Sequence, residues 1–156
     1  MSHAPFAPDE AAGIVAGLKD LEGPLLPILH AIQARFGHVP EAAIRLVAAE
    51  LNLSRAEVHG TMSFYHDFRA EPAGRRVVKV CRAEACQARG GAAVEAALAA
   101  SLGLPVGETS PDGRVSLEAV YCLGLCAIGP NALVDGRPVA RLDPAKAARL
   151  AAEALS

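Results

Sequence analysis

All four cysteines of the chain fall in two close pairs, and this arrangement limits the possible folds more than any other feature. The first pair lies in Val78-Lys-Val-Cys81-Arg-Ala-Glu-Ala-Cys86, and the second in Tyr121-Cys122-Leu-Gly-Leu-Cys126-Ala-Ile-Gly-Pro-Asn131. The spacing is C-x4-C, an interval the size of a supersecondary unit, then C-x3-C. A binuclear iron–sulfur cluster needs four thiolates from two such loops, because each tetrahedral iron takes two cysteine sulfurs beside two bridging sulfides. The pattern predicts a [2Fe-2S] site on Cys81, Cys86, Cys122 and Cys126. Zinc also takes four sulfurs, but its knuckles favour the tighter C-x2-C turn. Structural disulfides and a thiol redox switch stay open beside it, the latter because Arg82 and Arg89 flank the first pair.

A chain of 156 residues buries a sufficient core without disulfides. Its basic residues are dispersed among acidic ones, with net charge −2, so there is no clustered nucleic-acid footprint. Charged residues interrupt every apolar run before it reaches membrane-spanning length. The amino terminus lacks the charged and apolar regions of an export signal. These features predict a cytoplasmic protein with no membrane insertion and no nucleic-acid partner.

The first half reads as helices. Ile14, Leu18 and Leu21 recur at helical spacing from Asp9 to about Leu21. Pro24 suits a first helical residue, and Leu25, Ile28, Leu29, Ile32 and Phe36 share a face before Gly37. A third helix runs from Pro40 to Leu51, with Asn52 as its stop. Ser54-Arg-Ala-Glu57 is a capping box that opens a fourth carrying Val58, Met62 and Tyr65, so residues 9 to about 68 make a small helical bundle. His30, His38, His59 and His66 match no two-histidine metal motif. The run Phe64-Tyr65-His66-Asp67-Phe68 reads either as a docking patch or as glue between the bundle and the second half of the chain.

Glu71-Pro-Ala-Gly74-Arg75 breaks the helical pattern. We place the boundary there, with a helical bundle over 1–73 and a second domain over 74–156. Arg76 to Val80 is a strand delivering Cys81. Gly90-Gly91 leads into a helix carrying Val94, Leu98 and Leu102, closed by Gly103. After a turn at Pro111-Asp-Gly113, Val115 to Tyr121 alternates with period two and presents Cys122. Asp135-Gly136 is a hairpin dipeptide between 132–134 and 137–141, and Asp143-Pro144 caps a last helix ending near Leu155. Strand, helix, strand, hairpin, helix is an α/β order compatible with a thioredoxin-like layer, with both cysteine pairs in loops that follow strands.

A cluster with four thiolates carries net negative charge, so its surroundings matter. Gly90, Gly91, Gly124 and Gly129 allow backbone N–H groups to approach the sulfurs, while Leu123, Leu125 and Ile128 limit water. Glu84 disfavours reduction, whereas Arg82 and Arg89 favour it. No G-x-G-x-x-G follows a strand, so no nucleotide fingerprint belongs to this chain.

Val80-Cys81-Arg-Ala-Glu-Ala-Cys86-Gln-Ala-Arg-Gly-Gly91 and Cys122-Leu-Gly-Leu-Cys126-Ala-Ile-Gly-Pro-Asn-Ala132 resemble the small [2Fe-2S] subunit of NADH dehydrogenases of the respiratory complex I type. That family includes diaphorase subunits of NAD-reducing hydrogenases and the gamma subunit of NAD-dependent formate dehydrogenases. The helical part, including Val58-His-Gly-Thr-Met-Ser-Phe-Tyr65, is similar too. The resemblance implies a helical bundle followed by a thioredoxin-like [2Fe-2S] ferredoxin domain, a non-catalytic electron-transfer subunit docked on a flavoprotein that holds FMN and binds NAD(H). The Arg-Ala-Glu-Ala loop looks closest to the formate dehydrogenase gamma subunit, with the NADH:quinone oxidoreductase and hydrogenase subunits as alternatives. In the formate dehydrogenase case a molybdenum or tungsten cofactor, and further iron–sulfur clusters, would reside on other subunits. A zinc-stabilised interaction module and a thiol–disulfide enzyme are the rivals from other classes.

Overall fold

The computed structural model describes residues 4–156. Met1, Ser2 and His3 of the amino-terminal stretch lie outside the described residues. The chain divides into two compact units, the first ending at Pro72 and the second beginning at Ala73.

The first unit holds helices α1 (Pro8–Leu18), α2 (Leu25–Phe36), α3 (Glu41–Leu51) and α4 (Arg55–Phe64). Asp9 and Glu10 occupy the first turn of α1, where carboxylates meet the positive end of the helix dipole. The helix stops three residues short of the expected Leu21. That side chain is 49% exposed, so no packing holds another turn. Gly37 ends α2 in the left-handed conformation, φ 79°, donating its N–H to Gln33. Asn52 ends α3 the same way, φ 53°. The Ser54–Glu57 capping box is formed as the sequence predicts.

Helix α4 ends at Phe64, one residue before the Tyr65 expected on it, because Tyr65 turns extended. A turn then returns Phe68 to the core, where it is buried beside Val58 and Met62. Ile28, Leu29, Ile32 and Phe36 share that core with Ala11, Val15, Ile44 and Val47. Each fully buried side chain of this size stabilises by roughly 1.5–3 kcal/mol. Phe64 and Tyr65 remain exposed, at 75% and 44%.

The second unit runs β1 (Arg76–Cys81), α5 (Glu84–Gln87), α6 (Gly91–Leu102), β2 (Glu108–Thr109), β3 (Val115–Val120), a 3-10 turn (Cys126–Ile128), β4 (Ala132–Val134), β5 (Arg137–Val139) and α7 (Pro144–Leu155). Its sheet has the order β2-β3-β1-β4-β5. β1 and β3 are parallel, joined through α6, and the β4–β5 hairpin adds antiparallel strands. Val94, Leu98 and Leu102 of α6 and Ala147, Leu150 and Ala151 of α7 share a core with Val78, Val80, Val115 and Leu117 of the sheet. Burial spaced by three and four residues on the helices and by two on β1 is what selects these elements.

Two elements escape the sequence pattern. α5 has four residues and β2 has two, too few to show a period. β3 also departs from alternation, because Val115, Ser116 and Leu117 are all buried. Ser116 tolerates burial by accepting the Gly74 N–H at 2.8 Å and pairing with the Thr109 hydroxyl at 2.6 Å. Gly74 has to lack a side chain, since a Cβ there would stand 2.7 Å from the Val115 backbone.

Candidate metal centre

The parallel register of β1 and β3 sets Cys81 opposite Val120. Both strands therefore end at the same edge, and the loops that leave them carry the two cysteine pairs to one place. Cys81 is the last residue of β1, its N–H held by the Asn131 carbonyl at 3.0 Å. Cys86 sits in α5, whose amides fold back on the Ala83 carbonyl. Both are buried. Cys122 and Cys126 lie on the exposed side, the second opening the 3-10 turn. Cys122 takes φ 82°, a left-handed conformation that costs a non-glycine residue about 1–3 kcal/mol and that the surrounding loop must enforce.

All four thiols are free. The Cys122 and Cys126 sulfurs lie 3.7 Å apart, far beyond a disulfide bond. Two thiolates on one tetrahedral metal, each about 2.3 Å from it, stand about 3.8 Å apart. The donor set therefore fits a metal centre ligated in pairs. No group of three or more His, Cys, Asp or Glu among the described residues is arranged around a single ion.

The thiols also perturb one another. Burial pushes Cys81 up, but N–H groups of Ala83, Cys122 and Leu123, together with the Cys86 thiol, outweigh it and leave Cys81 below the ordinary cysteine value. Burial and the adjoining Cys81 raise Cys86. The hydrogen bond and negative charge of Cys122 raise Cys126. Burial and neighbouring thiols thus hold Cys86 and Cys126 toward their protonated forms, and a metal bound among the sulfurs would offset that penalty.

Asn131 is where the two loops meet. It is 1% exposed. Its N–H donates to the Cys86 sulfur, and its Nδ2 lies 3.8 Å from that sulfur and 2.8 Å from the Leu125 carbonyl. Its Oδ1 is buried without a hydrogen-bond partner. One side chain thus ties α5 to the residue just before Cys126. Sequence reasoning gave Asn131 no role, although an amide set between Ile128 and the apolar Ala132-Leu-Val134 is a signal that could have marked it.

Of the four glycines expected to let N–H groups reach sulfur, Gly124 does so, donating to Cys122 at 3.4 Å. Gly90 and Gly129 donate instead to the carbonyls of Gln87 and Cys126. Gly129 and Gly91 serve by clearance: a Cβ at Gly129 would stand 3.2 Å from the Cys86 sulfur, and one at Gly91 2.8 Å from the Cys86 carbonyl oxygen. Leu123, Leu125 and Ile128 are half-buried beside the exposed cysteines. Arg82 is paired with Glu95 at 3.0 Å, which offsets the charge expected to favour reduction. Arg89 reaches the cysteine loop through the Gly129 carbonyl, at 2.9 Å.

The histidines stay in the first unit. His30 tilts against Phe68 with ring centroids 4.8 Å apart, the His38 Nδ1 sits 3.0 Å from the Phe36 carbonyl, and His59 and His66 are exposed. Among the described residues no helix is long and apolar enough to cross a membrane.

Comparison with known proteins gives the same site a context. Residues 11–154 match the family described as thioredoxin-like [2Fe-2S] ferredoxin. The NADP-reducing hydrogenase subunit HndA of Solidesulfovibrio fructosivorans is 31% identical over 144 residues, covering 92% of this chain and 84% of that protein. An NADH-quinone oxidoreductase subunit of Escherichia coli (strain K12) is 35% identical over 116 residues, 74% of this chain and 70% of that one. A crystal structure of an air-oxidised NAD+-reducing [NiFe]-hydrogenase superposes with a TM-score of 0.70 at 28% identity, covering 84% of this chain and 22% of that larger chain.

Proposed function

This chain belongs to the thioredoxin-like [2Fe-2S] ferredoxin family, and on that premise we propose that it is the electron-transfer subunit of an NAD-linked oxidoreductase complex, with Cys81, Cys86, Cys122 and Cys126 holding its one [2Fe-2S] cluster. The observation that carries the ligand assignment is the 3.7 Å sulfur separation of Cys122 and Cys126, at the strand edge that also receives Cys81 and Cys86. When bound, the cluster takes up and releases one electron at a time.

The residues divide the work between holding and tuning. Cys81 and Cys86 bind from the buried side, and Cys122 and Cys126 bind at the exposed rim, so a partner reaches the centre across the second loop. N–H donors from Ala83, Leu123, Gly124 and Asn131 stabilise negative charge on sulfur and raise the reduction potential. Leu123, Leu125 and Ile128 keep water from that rim, which acts the other way.

The partner on this reading is a flavoprotein subunit that carries FMN and binds NAD(H), in the cytoplasm, and the chain itself performs no bond chemistry. The relatives support a complex of the NADH:quinone oxidoreductase or NAD(P)-reducing hydrogenase kind. Formate dehydrogenase is the second reading. It rests on the Arg-Ala-Glu-Ala loop, of which Arg82 turns to Glu95, and its molybdenum or tungsten centre would sit on another subunit. Isolating the chain with its natural partners and supplying hydrogen, formate or NADH distinguishes the settings. Reduction of NAD by formate would overturn the first, and reduction by hydrogen, or NADH oxidation by quinone, supports it.

A further inference from the structure

Between the β4–β5 hairpin and α7 lies a groove of about 710 Å³. Val139, Leu142 and Leu150 give it an apolar floor, and Arg137, Lys146 and Arg149 give it a cationic rim. Arg75 and Arg76 carry the positive charge on to the start of β1. Against these five cations the lining offers two carboxylates, Asp135 and Glu153, in a chain whose net charge is −2. Asp135 is already engaged, one oxygen accepting the Val77 N–H at 2.8 Å and the other the Arg76 guanidinium at 2.7 Å. Lys146 leans on Asp143 at 3.6 Å and donates to the Arg141 carbonyl. Arg137 and Arg149 are exposed and form no ion pair with another described residue, although Arg149 lies within electrostatic reach of Asp143.

Like charges gathered round an apolar floor repel one another, and an acidic occupant relieves that repulsion. The occupant does not extend the sheet. β5 is the edge strand and has three residues, and its middle one, Pro138, pairs with Leu133 and has no N–H to offer. Recognition therefore runs through side chains in the groove. Arg76 and Cys81 are the two ends of β1, separated by roughly 16 Å of extended chain. The groove thus adjoins the end of β1 opposite the cysteines.

We propose that this groove anchors an acidic segment of a partner polypeptide, its carboxylates meeting Arg137 and Arg149 and an apolar residue covering Val139 and Leu150, so that the subunit is held at one end of its sheet and exchanges electrons at the other. The proposal rests on the reading that the chain works inside a multi-subunit complex. The test compares complexes carrying wild-type chain, Arg137→Glu/Arg149→Glu, Arg137→Lys/Arg149→Lys, and the control Arg45→Glu in the helical unit. Retention of the partner subunits is measured at low and high ionic strength, with iron content measured on every sample.

The expected result is at least a tenfold loss of retention for the glutamate pair at low salt, retention kept by the lysine pair and by Arg45→Glu, and a salt-sensitive wild type. Iron content stays unchanged throughout. Equal retention by the glutamate pair, or an equal loss in the lysine pair, would overturn the proposal. So would wild-type retention that is the same at low and at high ionic strength. Absence of iron from wild type and variants alike sinks the electron-carrier reading instead, and leaves the retention comparison readable.

Discussion

The carboxamide of Asn131 donates to the Leu125 carbonyl at 2.8 Å, fixing the backbone one residue ahead of Cys126, while the same nitrogen lies 3.8 Å from the sulfur of Cys86. One buried side chain therefore senses both cysteine loops. Charge arriving on the cluster is spread over its sulfurs, and a donor to sulfur favours the reduced state. Replacing Asn131 by leucine keeps the branched shape of the side chain, in a slightly larger volume, and removes that donor, while the backbone N–H to Cys86 remains. The expected outcome is unchanged iron content with the reduction equilibrium shifted about tenfold toward the oxidised form, about 59 mV for one electron. Spectroelectrochemical titration measures it, and an unchanged potential would show that the amide serves packing alone.

Cys122→Ser tests the exposed ligand pair. Serine offers a hard, weakly acidic oxygen where the site offers a thiolate, so visible absorption should fall or disappear. The helical unit has its own core, built from Ile28, Leu29, Ile32 and Phe36 among others, and should keep its far-UV circular dichroism. Full absorption and full iron content in this variant would contradict the assignment of Cys122 as a ligand.

Two glycine substitutions should move stability in opposite directions. At Gly91 an added Cβ meets the Cys86 carbonyl oxygen at 2.8 Å, a backbone atom that must shift to admit it. Gly91→Ala should cost roughly 1–3 kcal/mol and loosen cluster retention. At Gly13, inside α1, nothing lies within 4 Å. Gly13→Ala should stabilise the helical unit by about 0.4–1 kcal/mol. Denaturant midpoints of the two variants check both signs.

Acid should weaken both units through their helix caps. The Lys146 N–H holds the Asp143 carboxyl below the usual carboxylate range, and the Ser54 N–H and hydroxyl do the same for Glu57. A carboxylate whose pKa is lower folded than unfolded contributes stability above its unfolded pKa, near 4, and loses it as pH falls through the folded value. Asp143→Asn retains a capping oxygen but does not titrate. Its thermal midpoint should therefore fall less than that of wild type between pH 5 and pH 2. Parallel curves for the two proteins would show that this cap carries no linked proton.

How far the sequence could be read depended on element length. The stripe Ile28, Leu29, Ile32, Phe36, the Ser54–Glu57 box and the Asp135-Gly136 turn all announce their structures, because each repeats a period or fills a specific backbone need. α5 and β2 are shorter than any period, and β3 is buried on both faces at Ser116, so alternation fails there. The cysteine loops were marked by spacing alone. What the spacing could not carry was direction: Arg82 turns toward Glu95, and the hydrogen bonds to Cys81 come from Ala83, Cys122 and Leu123, whose identities say nothing of their N–H groups.

Everything turns on what the four sulfurs hold. Chain purified without exposure to oxygen should contain two irons and two acid-labile sulfides per polypeptide, and after one-electron reduction should give the paramagnetic resonance of a single binuclear cluster. A colourless protein containing zinc, or metal-free protein with four titrating thiols, would contradict the account at its root.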